Sequence, residues 1–377
     1  MDADVAVIGT GTMGSMALWQ LARAGIDAIG FEQFTVGHDR SAAGGESRIF
    51  RAAYREGPEY VPTLLHAHEL WRELEAESGR ELLTLTGGLM IGDVEEEGMR
   101  NVLASIERFG LSHEILDAAQ MADRYPQHTL FPGEAAVFDH LAGVLRPEFA
   151  VISAVQCAQR RGARVVSGAP VVAVEPSADE VVVRAGGRDY RFAQAVITAG
   201  PWTARFAPEL ARHVTPRKIV MTWYMAGDPA AYTPAAFPVF IRRYGDVELF
   251  GIPSLDGGSV KVALADTYGE LGDAGDLDHN VAPEDLATVN EAVAACFPGL
   301  LPQPIRVSAH MDAYTADKHA LVGALPGAKN IWLLGGFSGH GFKMAPAFGQ
   351  IAADLVRHGK TTLPIDHLSP ARFLRTP

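Results

Sequence analysis

The sequence predicts an α/β fold in which a doubly wound nucleotide-binding unit of Rossmann type is joined to an α+β unit built on a mainly antiparallel sheet. Three observations carry this expectation. The chain opens on a strand, a glycine turn, a helix and a second strand with an acidic end. From about Pro216 to Ala265 it changes to alternating strands rich in Tyr, Trp, Phe and Val. It closes on another strand, glycine-dense turn and helix.

The opening unit begins with the apolar run Val5-Ala6-Val7-Ile8. Gly9-Thr10-Gly11-Thr12-Met13-Gly14 follows, then a helix-like segment from Ser15 to Ala24 that Gly25 stops. Ile26 to Phe31 is the next strand, ending at Glu32. In such a turn Gly9 permits the tight bend, Gly11 lets the backbone approach a pyrophosphate, and Gly14 allows close helix packing. The free N–H groups at the helix start hold phosphate oxygens. Glu32, 18 residues past Gly14, is placed to accept ribose hydroxyls and would repel a phosphorylated ribose. The motif alone leaves NAD and FAD both open.

Farther along, Pro62 to Ser78 forms a long amphipathic helix, and Thr86 to Gly92 a turn into a strand. Pro147 to Arg160 is helical. Ala163 to Val166 and Val171 to Glu175 are strands, and Val181 to Ala185 pairs with Tyr190 to Phe192 as a hairpin around Gly186-Gly187. Ala195 to Gly200 reads as a buried parallel strand that brings Gly200 to the cofactor layer. Leu286 to Phe297 is helical and Arg306 to Asp312 a strand. Asn330 to Leu334 is a strand, Gly335 to Gly341 its turn, and Ala345 to His358 a helix ended by Gly359. The nucleotide unit is therefore discontinuous, spanning 1–85, 145–215 and 315–377. Residues 86–144 and 216–314 form the substrate unit.

Composition narrows the function classes. The chain is 48% hydrophobic and 20% charged, a globular balance, and its formal charge of −13 argues against a nucleic-acid partner. No apolar stretch approaches the roughly 20 residues needed to span a bilayer, and there is no basic signal-peptide region, so a cytoplasmic location without a membrane partner is expected. Cys157 and Cys296 are the only cysteines and read as reduced core residues. Neither HExxH nor a compact Cys/His set supports a metal, although His310, Asp312, Asp317 and His319 cluster in sequence; no GxSxG elbow is present.

Several cations could carry chemistry. Arg48 and Arg51 would share one side of a helical turn but separate in an extended segment, and each could grip a carboxylate or stand as a surface ion. Lys261, in Ser259 to Leu264, either snorkels, the commoner outcome, or is held inward to attract an anionic oxygen species. Phe250 and Tyr224 line a cavity or belong to the sheet's core. In Gly336-Phe337-Ser338-Gly339-His340-Gly341-Phe342-Lys343 the glycines let backbone approach a flat cofactor, and Lys343 could meet a substrate carboxylate.

Five stretches carry a family resemblance over nearly the whole chain: GTGTMG at Gly9, GGESRIFRAAYREGPEYVP from Gly44, TGGLMIG from Thr86, FGIPS at Phe250 with Lys261 following, and GGFSGHGFKMAP from Gly335. The sequence resembles the monomeric sarcosine oxidase and N-methyltryptophan oxidase group of the D-amino-acid-oxidase-like flavoproteins. The resemblance implies FAD, a monomer, and oxidation of a small amine or amino acid bearing a carboxylate. Hydride passes to flavin N5, water hydrolyses the imine, and molecular oxygen becomes hydrogen peroxide. It implies that Arg51 and Lys343 grip the carboxylate, that Arg48 lies against the flavin, and that Lys261 assists oxygen. Cofactor contacts are expected from Gly9, Gly11, Met13, Gly14, Glu32, Arg40, Ser41, Arg48, Val172, Gly200, Trp202, Gly336, Gly339, His340, Gly341 and Lys343. Substrate contacts are expected from Arg51, Phe250, Asp312 and Lys343.

The departures from that group are informative. His310 falls in the register of a cysteine that links covalently to flavin, which implies noncovalent FAD, with a histidyl link as the exception. Gly44 replaces a histidine, Phe250 a tyrosine, and Asp312 an aromatic residue. A bulkier amino acid, or one with a distal amine, would suit the more open and acidic pocket. A related dehydrogenase using another electron acceptor and a non-catalytic FAD-binding regulator are the alternative readings.

Overall fold

The computed structural model describes residues 1–374; residues 375–377, the end of the range assigned to the nucleotide unit, lie outside the described residues. The first strand, Ala3–Ile8, is the centre of a sheet ordered Val171–Pro176, Val181–Ala185, Arg188–Ile197, Ala3–Ile8, Ala28–Glu32 and Arg164–Ser167. Ile331–Gly335 joins it alongside the end of Arg188–Ile197, with Leu321–Ala324 antiparallel beyond. The Tyr190 to Phe192 and Ala195 to Gly200 runs, expected as two strands, lie on one strand, which ends at Ile197, and Gly200 begins a short 3-10 helix, Gly200–Arg205. The first half of that strand pairs antiparallel with Val181–Ala185 and its second half parallel with the opening and closing strands, so one strand serves two ladders.

Helices Thr12–Arg23, Val61–Ser78, Pro147–Arg160 and Ala345–His358 gather on one face, where Met16, Trp19, Leu64, Trp71, Val151, Phe348 and Ile351 form a continuous core. Gly349 lets the last helix approach the first, since a Cβ there would strike the Met16 backbone. The opposite face buries Ile8, Ile29, Phe31, Phe192 and Leu333. Burial on both faces is why these strands read as continuous apolar runs.

The second sheet runs Leu300–Thr315, Val214–Ala226, Ser259–Leu264, Val247–Ile252, Val239–Tyr244, Gly88–Asp93, Glu134–Asp139, His113–Leu116, antiparallel except for the Val239–Tyr244 and Gly88–Asp93 pair. Leu300–Thr315 is longer than the Arg306 to Asp312 run expected, because it extends through Pro302 and Pro304. Prolines are tolerated there because the strand lies at the sheet edge. A three-stranded sheet of Arg48–Phe50, Gly143–Leu145 and Leu83–Leu85 completes the fold. Among the described residues no helix is long and apolar enough to cross a membrane. Cys157 and Cys296 are both free and buried.

Candidate active site

Two cavities meet between the sheets. The first, about 390 Å³, is walled by the opening glycine turn (Gly9, Gly11, Met13), Glu32, Ser41, Val172, Gly200 and Trp202. Gly9 has φ +88°, and a Cβ on Gly14 would fall on the Gly9 carbonyl oxygen, so packing within the protein accounts for both glycines. Gly11 differs: a Cβ there would meet no protein atom within 4 Å. The chain leaves room at Gly11 that its own packing does not use, at the N-terminus of helix Thr12–Arg23, where the free N–H groups of a helix start suit a phosphate.

Glu32 is 4% exposed. It accepts from Thr10 N at 3.1 Å and Phe34 N at 3.0 Å, and lies 3.3 Å from His38 Nε2. Arg40 N donates to His38 Nδ1 at 3.0 Å, so the ring proton sits on Nε2 and points at Glu32. Burial alone would raise the Glu32 carboxyl; the His38, Phe34 and Thr10 hydrogen bonds outweigh it and hold the group ionised, an acceptor for ribose hydroxyls. These residues fit a dinucleotide with an unphosphorylated ribose.

The second cavity, about 710 Å³, shares five wall residues with the first: Ala42, Arg48, Asp312, Gly339 and Phe342. Arg48 begins a strand rather than a helical turn, so Arg51 comes to lie apart from it. Arg48 donates to the carbonyls of Ser47 at 2.7 Å and of Ala42 and Gly44 at 2.6 Å, which pins it at the junction. Arg51, 3% exposed, lines only the inner cavity. Its Nη2 contacts both Glu56 oxygens at 2.7 Å, while Nε and Nη1 have no protein partner. The loop beyond it is anchored by Ala52 N and Ala53 N on the buried Asp139 carboxylate, both at 2.9 Å.

Lys343 reaches the same place from the far end of the chain. Its backbone carbonyl accepts from Trp71 Nε1 at 2.9 Å, and its Nζ donates to His340 O at 3.0 Å. Arg51 Cζ lies 4.5 Å and Lys343 Nζ 5.3 Å from the centroid of the Tyr54 ring. Burial and the neighbouring Arg51 bring Lys343 down to about 7. Burial would raise Glu56, but Arg51, Lys343 and His340 hold it down to about 2. Two cations thus face one carboxylate, which leaves a positive charge suited to one further carboxylate. His340 donates from Nε2 to Lys318 O and accepts the Tyr54 hydroxyl at Nδ1, each at 2.9 Å, which commits both ring nitrogens.

The glycine turn before Lys343 takes left-handed backbone at Gly336, Ser338 and Gly339. Ser338 holds this strained conformation because its Oγ accepts from Thr315 N at 3.1 Å. Gly339 N in turn donates to Asp312 Oδ2 at 2.9 Å.

The positions expected from the sequence are distributed unevenly. Gly9, Gly11, Met13, Glu32, Ser41, Val172, Gly200, Trp202 and Gly341 line the first cavity, and Arg48, Asp312 and Gly339 line both. Arg51, Phe250, His340 and Lys343 line the inner one. Gly14 and Gly336 shape backbone without lining either. Arg40 is exposed, over the Phe34 ring at 5.0 Å, outside both walls, because its segment turns outward after His38. Lys261 does not snorkel: it is 2% exposed, and its Nζ donates to Gly45 O at 2.9 Å and Ser47 O at 3.2 Å. It stands behind the Arg48 loop, outside both walls. Tyr224 is buried in the sheet's core, with its hydroxyl on Asn290 Oδ1.

His310 is likewise outside both walls. Its Nδ1 donates to Asp39 O at 3.2 Å and its Nε2 accepts from Ser308 Oγ at 2.8 Å. Burial, with Arg48 and Lys261, takes it down to about 4, so the ring is neutral. A Cβ on Gly44 would sit 2.8 Å from His310 Nδ1. The small residue and the large one, read separately from the sequence, fill one space. Sequence reasoning missed Tyr54, Glu56 and His38. The first two lie inside the stretch from Gly44, but no spacing rule marks them.

The family profile for DAO FAD-dependent oxidoreductases matches residues 4–355. The chain belongs to that family. Among FAD-dependent oxidoreductases it is 34% identical to a monomeric sarcosine oxidase of Streptomyces avermitilis, over 99% of this chain and 98% of that protein. It is 30% identical to an N-methyl-L-tryptophan oxidase of Yersinia pestis over 99% of this chain and 100% of that protein. Its fold matches that of L-proline dehydrogenase from P. horikoshii with TM-score 0.85 at 22% identity, covering 99% and 98% of the two chains. The fold of this family is FAD-binding, and the Gly11 opening and the Glu32 carboxylate suit that cofactor.

Proposed function

We propose that this protein oxidises a secondary amine or amino acid bearing a carboxylate, with FAD held noncovalently. When bound, FAD supplies the hydride acceptor and passes the electrons to molecular oxygen, giving hydrogen peroxide. The observation that carries the reading is the Arg51 and Lys343 pair around Tyr54, in a cavity that shares its wall with the nucleotide cavity.

Glu32 and the Gly9 to Gly14 turn hold the dinucleotide. Arg51, with two unpartnered nitrogens, and Lys343 clamp the substrate carboxylate and so fix the reacting carbon at the Arg48 and Asp312 junction. Phe250, Ile49 and Met221 give the inner cavity apolar walls that accept a side chain or N-substituent and shed water. Water then hydrolyses the imine. Lys261, buried behind Arg48 with its Nζ on the Gly45 and Ser47 carbonyls although burial pulls its ammonium well below the usual lysine range, supports the oxidase reading over a dehydrogenase through the oxygen role that the resemblance implies for it. Noncovalent attachment is supported by the walls of the first cavity, which contain neither cysteine, and by His310, whose nitrogens are both engaged elsewhere.

One purification tests all three parts. Acid precipitation of the yellow protein should leave colour in the supernatant. Anaerobic addition of N-methyl amino acids should bleach the flavin, and air should restore it with hydrogen peroxide. Colour in the pellet would overturn noncovalent attachment; absence of bleaching with every amine would overturn amine oxidation; bleaching without recovery in air would move the chain to the dehydrogenases.

A further inference from the structure

A substrate in the inner cavity can meet a cofactor in the nucleotide cavity only where the two share walls, at Ala42, Arg48, Asp312, Gly339 and Phe342. Two of these five ionise. Arg48 is spent on three carbonyls. Asp312 is held still from both sides, with Oδ1 accepting from Ala313 N at 2.8 Å and Oδ2 from Gly339 N at 2.9 Å, which leaves each oxygen a free lone pair. No cation lies within ion-pair distance of it among the described residues, although the other acids that line the inner cavity near Arg51 and Arg55 are paired.

We propose that Asp312 is the catalytic base that takes the proton of the substrate ammonium. This rests on the amine-oxidation reading above. An amino acid arrives as a zwitterion, and its carboxylate settles on Arg51 and Lys343. Its ammonium meets the one carboxylate at the junction. The N–H bond breaks as an Oδ–H bond forms, leaving a neutral amine with its lone pair available and a neutral carboxylic acid; no oxidant or co-reactant is consumed.

The other bases beside Arg51, Arg55 and Lys343 are committed. Glu56 sits on Arg51, Glu248 on Arg55, and both His340 nitrogens are engaged. The groups facing Asp312 support the transfer. Arg48 favours its ionised form, Tyr314 and the neutral His310 lie on its own strand, and the cross-strand Arg217 is turned to Glu270. Burial acts against these and raises the carboxyl, so that it accepts a proton more readily than a surface aspartate.

Two isosteric probes isolate this interaction in the FAD-loaded enzyme. Glycine betaine carries a permanent cation with no proton to lose; 3,3-dimethylbutanoate has the same shape and carboxylate without the cation. Both depend equally on Arg51 and Lys343, so the ratio of their dissociation constants, measured by calorimetry at mildly alkaline pH, reports the amine position alone. Wild type should prefer betaine by about tenfold or more. Asp312→Asn, or Asp312→Ser if the first does not fold, should bring the ratio to near one and confine amine oxidation to pH values where the free amine is already neutral. Equal binding of the two probes by wild type, or an unchanged preference in both variants, would overturn the assignment. If amines still bleach the flavin in that case, the proposed function stands and only Asp312 is excluded; if no amine does, the functional reading itself fails.

Discussion

The two cavities that meet at Asp312 are built by different means. The nucleotide cavity is made largely of backbone, with turns whose glycines are dictated by φ at Gly9 and Gly200, by close approach at Gly14, and by open space at Gly11. The inner cavity is made of side chains carried in from distant segments. Arg51 and Glu56 follow one short strand, Phe250 and Asp312 come from the antiparallel sheet, and Lys343 precedes the final helix. The first kind of site is rigid and fails as a unit when one atom is added. The second is assembled from separable charges, so each can be removed with a graded loss.

The largest effect should follow from adding a single methyl to the first. Gly14→Ala places a Cβ on the Gly9 carbonyl oxygen and near Thr198 Oγ1, which donates to that oxygen at 2.8 Å. The cost is on the order of 3 kcal/mol, concentrated where the cofactor binds. The expected product is a colourless protein with a lowered Tm; a yellow protein of unchanged Tm would mean that the turn is far softer than its packing.

In the inner cavity, Arg51→Met should leave the protein yellow. It removes a side chain whose Nε and Nη1 are buried without a protein partner among the described residues. Loss of a buried charge-assisted pair costs ~3 kcal/mol, so kcat/KM for a carboxylate-bearing amine should fall roughly a hundredfold. Stopped-flow reduction at varied substrate separates this from a defect in FAD binding. If FAD is lost as well, the two cavities are one mechanical unit.

A pH test sharpens the same contrast. Lys343 stands near 7 because burial and Arg51 disfavour its charge. Its ammonium form is therefore populated below about 7, and the affinity for a simple carboxylate should be fully present there and fall as pH rises through that value, by up to about tenfold for each pH unit. Lys343→Arg stays charged throughout and should give a flat profile. FAD affinity, set by Glu32 and backbone, should not follow this titration; a parallel loss of FAD near pH 7 would break the separation of the two sites.

The same difference governs what could be read from sequence. Backbone constraints write themselves locally: Gly9, Gly11, Gly14 and Glu32 stand at fixed spacings in one strand–turn–helix–strand unit, and the final strand, turn and helix were equally plain. Side-chain sites leave no such trace. Lys261 in an alternating strand reads as a snorkelling lysine until the loop carbonyls of Gly45 and Ser47 are placed opposite it, 216 and 214 residues away. Arg51 and Lys343 each read as a carboxylate-binding candidate in its own segment, with a bland alternative beside it, and family resemblance pairs them. Their shared Tyr54 ring, the Glu56 counter-charge and the fit of His310 against Gly44 depend on contacts across the whole chain.

Arg40 supplies the smallest effect and a sharp check on that distinction. Resemblance assigns it to the cofactor, yet it is exposed over Phe34, and only its backbone N–H, on His38 Nδ1, touches the nucleotide wall. Arg40→Ala keeps that N–H and loses a solvated cation–π contact, so folding stability and FAD affinity should each change by no more than about 0.5 kcal/mol. Arg40→Pro removes the N–H, frees the His38 tautomer and should weaken FAD measurably while leaving the carboxylate site intact. If Arg40→Ala proves as damaging as Arg40→Pro, the guanidinium itself reaches the cofactor, and the segment after His38 must fold inward over it when FAD binds. The nucleotide cavity would then share the side-chain construction of its neighbour.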